Sequence, residues 1–160
     1  MKSASVIEIK TELSDHSHQE LVELCLRLSR FKKENKELLS YLLFESSDED
    51  GYITSVKSEV DEEFDIINTK SYHYIKKSVR KILRTIKKYI RYSKNKETEI
   101  ELLLYFCQKL IDFQPYIKRN AVLQTIARRE LAVIKKKLPL FHEDLQYDYN
   151  IELEALLSKI

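Results

Sequence analysis

The chain has 160 residues, 43% hydrophobic and 34% charged, which describes one globular domain with a heavily charged surface. Its formal net charge of +2 selects no partner by bulk electrostatics. One glycine, Gly51, and two prolines, Pro115 and Pro139, argue against a β-rich fold, because tight hairpin turns need residues that adopt positive φ. The expectation is therefore an all-α chain: a single domain, 1–160, of seven or eight helices in an irregular bundle or a short array of antiparallel helical hairpins.

In chain order, the first element is a short amphipathic stretch from about Val6 to Leu13. Ser17 followed by Glu20 then reads as a capping box. It opens a helix carrying Leu21, Leu24, Cys25, Leu28 and Phe31 at helical spacing. After the polar break Lys32–Lys36, Leu38, Leu39, Leu42 and Leu43 form a second apolar set. The pair reads as two antiparallel helices, or one helix with a bend. Ser46–Gly51 reads as the clearest loop of the chain, with Gly51 allowing a sharp turn.

A helix follows from about Tyr52 to Ile67, with Val56, Val60, Phe64 and Ile67 on one face. Asn68–Ser71 breaks it, and a long regular helix runs from Tyr72 to about Tyr92. The next, about Glu97–Phe113, is apolar over more than half its surface and belongs in the middle of the fold. Pro115 is expected in the first turn of a further helix that ends in Lys135–Lys137 and stops at Pro139. The last helix starts near Glu143 and Asp144 and buries Leu145, Tyr149, Leu153, Leu156 and Leu157.

Charge is sorted along the chain. Residues 42–65 hold nine acids and one base, whereas residues 66–96 hold eleven bases and no acid. Residues 118–137 hold seven bases against the single acid Glu130, and residues 138–160 hold five acids against Lys159. At about 100° per residue, the apolar positions of the long helix fall within an arc of roughly 120°. Opposite them lie Lys76, Lys77, Arg80, Lys81, Arg84, Lys87, Lys88 and Arg91, a candidate anion-binding strip bordered by Tyr74 and Tyr92.

Three readings compete for that strip. It is a solvated face balanced by the acidic segment 45–65, or a phosphate-backbone site for nucleic acid, or, more weakly, a contact for an acidic membrane surface. No cofactor, metal site or catalytic set is expected. One glycine leaves no room for the usual phosphate loops, and His16, His18 and Cys25 lack a second ligand pair. Cys25 and Cys107 read as reduced, buried thiols, as in the cytoplasm. No apolar run reaches the roughly 20 residues that span a bilayer. The residues leading into Glu8, Lys10 and Glu12 have no signal-peptide core.

The opening third, Ile9–Leu13, His18–Leu24 and Lys36–Leu43, is similar to the start of some small bacterial all-helical proteins of unknown function. The resemblance implies a small helical array in a bacterium and carries no site residue. The functional expectation is a non-enzymatic interaction or scaffold domain that binds a protein partner or itself. Nucleic-acid binding through helix 72–92 is the alternative; neither a membrane nor a small-molecule substrate is implied.

Overall fold

The computed structural model describes residues 2–160, Met1 lying outside them. The chain is all-α: 82% of it is helical and the described residues form no strand. Eight α-helices follow in order: α1 (Val6–Ser14), α2 (His18–Phe31), α3 (Lys33–Ser40), α4 (Glu49–Asp65), α5 (Tyr72–Ser93), α6 (Lys96–Asp112), α7 (Ala121–Lys137) and α8 (Glu143–Leu157). The sequence reading treats 1–160 as one domain. The structure gathers the helices into two compact units, one ending at Glu45 and the other Ser46–Ile160.

In the N-terminal unit, the starts of α1 and α2 are fixed by local chemistry. Ser5 and Glu8 form a reciprocal capping box for α1, and Ser17 and Glu20 form the expected one for α2. Lys32 is extended, and this single residue separates α2 from α3. The Asn35 side chain then donates to the Leu28 carbonyl at 2.9 Å, tying the new helix to the end of the old one. A π-helical turn, Tyr41–Glu45, closes the unit.

In the C-terminal unit, α6 is the central element, packed against α4, α5, α7 and α8. It buries nine residues, among them Ile100, Leu103, Phe106, Cys107 and Leu110. That matches the wide apolar arc of its sequence. Phe64 of α4 meets Phe106 and Phe113 with ring centroids 6.1 and 5.8 Å apart, in the tilted arrangement that aromatic quadrupoles favour. The α5 wheel holds as read, with Ile75, Val79, Ile82 and Ile86 buried and the cations opposite.

Two boundaries differ from the sequence reading. Gly51 is not a sharp turn, because α4 starts at Glu49 and takes the glycine into its first turn. Asp48 accepts from the Gly51 N–H at 3.0 Å, and Glu49 and Asp50 sit favourably at the positive end of the helix dipole. A Cβ on Gly51 would lie 2.3 Å from the Asp48 carboxylate, so glycine leaves room for the cap. Likewise α7 does not begin at Pro115. Asn120 accepts from the N–H groups of Val122 and Leu123 and sets the start at Ala121, after a 3-10 turn at Ile117–Arg119.

Candidate functional site

Two surfaces stand out. The first is the cationic strip of α5. Only part of it is neutralised by the chain's own acids. Lys81 pairs with Glu63 of α4 at 2.9 Å, and Lys87 pairs with Glu130 of α7 at 2.7 Å. Lys88 lies over the Tyr89 ring, 4.8 Å from its centroid. Among the described residues no ion pair reaches Lys76, Lys77, Arg80, Arg84 or Arg91, and all but Lys76 are exposed.

The acidic segment does not blanket the strip, and three of its carboxylates are engaged elsewhere. Glu59 accepts from the Tyr89 hydroxyl at 2.9 Å. Asp61 accepts from the Tyr105 hydroxyl at 2.6 Å and pairs with Lys109 at 2.9 Å. Glu49 accepts from Ser93 and Thr98. Of the two tyrosines expected to border the strip, Tyr74 is exposed, whereas Tyr92 is buried and has no free face for stacking.

The second surface is the apolar face of the N-terminal helices. None of the described residues of α1, α2 or α3 is buried. Val6 is 82% exposed, Leu28 60% and Phe31 76%. Ile7, Ile9, Leu13, Val22, Leu24 and Leu26 are exposed as well. Between α2 and α3 lies a groove of about 280 Å³ lined by Cys25, Leu28, Leu38, Leu39 and Leu42 with the polar Ser29 and Asn35.

Cys25, expected as a buried thiol, is exposed on this groove; Cys107 is buried as read, and both are free. The difference is one of environment. The helical period is the same around both, but α6 has neighbours on every side and α2 does not. Burial pushes the Cys107 thiol up to about 12, the Glu130 charge adding to the rise and Lys87 opposing it.

A cleft of about 370 Å³ in the C-terminal unit is lined by Lys57, Glu101, Tyr105, Tyr149 and Glu152, among others. Several of its polar groups already have partners in the protein. Lys57 and Glu101 pair at 2.9 Å, and Tyr149 donates to Glu97 at 3.1 Å. Burial, reinforced by the Asp61 carboxylate, raises the Tyr105 phenol to about 12. Among the described residues no group of three His, Cys, Asp or Glu side chains could hold a metal ion, and no helix is long and apolar enough to cross a membrane.

Sequence reasoning missed the burial of Glu130. Glu130 sits on the α7 face with Leu123, Ala127, Leu131 and Ile134, and a helical wheel puts it at the edge of that apolar stripe, about 20° from Leu123. No protein-family model matches the chain, and neither does any curated protein or any solved structure.

Proposed function

We propose that the chain is a non-enzymatic interaction protein that docks on another protein chain through the apolar faces of α1 and α2. One observation carries this reading. Most of the large aliphatic and aromatic side chains of a helical unit of 45 residues are left in water, while most of those of Ser46–Ile160 are packed. Burying one such side chain is favourable by about 1.5–3 kcal/mol, so a contiguous set of them marks a surface that another molecule covers. The size of the unit supports the reading, since chains of about this length bury too little to stand alone.

The test is the size of the protein in extracts of its native host. The wild type should elute well above its own mass of 19.1 kDa. The double variant Leu28→Gln, Phe31→Gln should elute at that mass with unchanged helicity, because both side chains are already exposed. A wild type that elutes at its own mass overturns the reading.

A second reading rests on a different observation, the exposed and unpaired Lys77, Arg80, Arg84 and Arg91 on α5. Cations at this spacing suit a row of phosphates, as in a nucleic-acid backbone, and Tyr74 offers an exposed ring beside them.

A further inference from the structure

The charges of the N-terminal unit are ordered about Leu24. Before it come Glu8, Glu12, Asp15, Glu20 and Glu23, with Lys2 and Lys10 as the opposing bases. After it come Arg27, Arg30, Lys32, Lys33 and Lys36, with Glu34, Glu37 and Glu45 as the opposing acids. Within α2 the division is complete: Glu20 and Glu23 on the N-terminal side, Arg27 and Arg30 on the C-terminal side. Arg27 and Arg30 are exposed, and among the described residues neither has an ion-pair partner.

We propose that the chain covering this face is a second copy of the same protein, with α2 packed antiparallel against α2 of the partner about a two-fold axis near Leu24. This rests on the docking reading above and names its partner. A two-fold interface must be self-complementary, each patch meeting itself reversed. Reversing α2 about the midpoint between Leu24 and Cys25 sets Leu21 opposite Leu28 of the other copy and brings the glutamate half onto the arginine half. A parallel arrangement would instead put like charges side by side, which is unfavourable. The apolar stripe of Leu21, Leu24, Leu28 and Phe31 supplies the burial, and the charge order sets the direction.

The experiment uses the purified full-length chain in sedimentation equilibrium at several loading concentrations, with far-UV circular dichroism as the folding control. The wild type should sediment at twice its monomer mass. The variant Arg27→Glu, Arg30→Glu makes α2 wholly acidic and should weaken self-association about tenfold or more. The variant Glu20→Lys, Glu23→Lys makes it wholly basic and should do the same. Mixing the two in equal amounts should restore a dimer, now a heterodimer, because the halves are complementary again.

Glu20 also belongs to the α2 capping box, so the acidic variant alone decides if the basic one loses helicity. A wild type that stays monomeric at every concentration overturns the proposal. So does a dimer that charge reversal does not weaken, or a mixture of two helical variants that does not reassociate. A monomeric purified chain that still elutes as a larger species in host extracts would retain the docking reading with a different partner. A monomer in both settings would remove both.

Discussion

Lys87 Nζ lies 2.7 Å from Glu130 Oε1, which ties the cationic strip to a buried carboxylate. Glu130 is 1% exposed, and its second oxygen, Oε2, has no hydrogen-bond partner among the described residues. A buried carboxylate held by one cation stabilises little by itself, yet losing the cation leaves an uncompensated charge in the interior. Lys87→Met should destabilise the protein by about 3 kcal/mol in urea unfolding, the low end of the range because Lys87 is half exposed. The double variant Lys87→Met, Glu130→Met should recover to within about 1 kcal/mol of the wild type. A single variant as stable as the wild type would show that the pair does not matter.

The two cysteines should differ sharply in reactivity. Cys25 is exposed, and Cys107 is buried with its thiol pushed up to about 12. In native protein a thiol-specific chromogenic reagent should titrate one group quickly, and the second only on unfolding. Cys25→Ser should remove the fast phase, and Cys107→Ser should leave it. Two fast thiols, or none, would contradict the placement.

The two capping boxes predict a specific acid response. Hydrogen bonds from Ser5, side chain and backbone, hold the Glu8 carboxyl below the ordinary 4.5, and the backbone and hydroxyl of Ser17 do the same for Glu20. Depressed values in the folded state mean that the caps contribute fully above pH 4.5 and are lost as pH falls through the folded-state values. Carboxyl carbon shifts followed by NMR should give both glutamates midpoints under 4.5. Ser5→Ala and Ser17→Ala should raise the midpoint of the matching glutamate only.

Phosphate binding by α5 has its own signature. Fluorescence anisotropy of a labelled single-stranded oligonucleotide should show binding that weakens steeply as salt rises, by about 0.7 in log–log slope per phosphate neutralised. Arg80→Glu, Arg84→Glu, Arg91→Glu should abolish it, with helicity intact because these side chains are exposed. No binding at low salt, or binding indifferent to salt, would remove this reading. Lys87 is a poor choice for such a test, since its loss acts on Glu130 and hence on stability.

The all-α class and the two faces of α5 are legible in sequence because they rest on local rules: scarce glycine, helical period and charges placed opposite an apolar stripe. The capping box at Ser17 and Glu20 is legible for the same reason. Legibility fails where the outcome depends on which chain segment is nearby. The stripe around Cys25 has the same period as the one around Cys107, yet only α6 finds neighbours to bury it.

Gly51 looks like a turn residue until Asp48 is seen to cap its N–H. Pro115 looks like a helix start, but the Asn120 cap sets the boundary five residues later. Glu130 did leave a signal, as the lone acid in a basic run that also falls on the apolar face of its helix. Its partner Lys87, 43 residues earlier in the chain, could not be read from that.

The most direct test of the central claim, that the N-terminal apolar face is covered by another protein chain, is photo-crosslinking in the native host. A photoreactive amino acid is placed at Phe31 or, as control, at Tyr147 of α8, which is 69% exposed in the C-terminal unit. Discrete protein adducts at Phe31, lost when Leu24 and Leu28 are replaced by Asn and absent at Tyr147, are the predicted result. No adduct at Phe31, or the same adducts at both positions, would contradict the account.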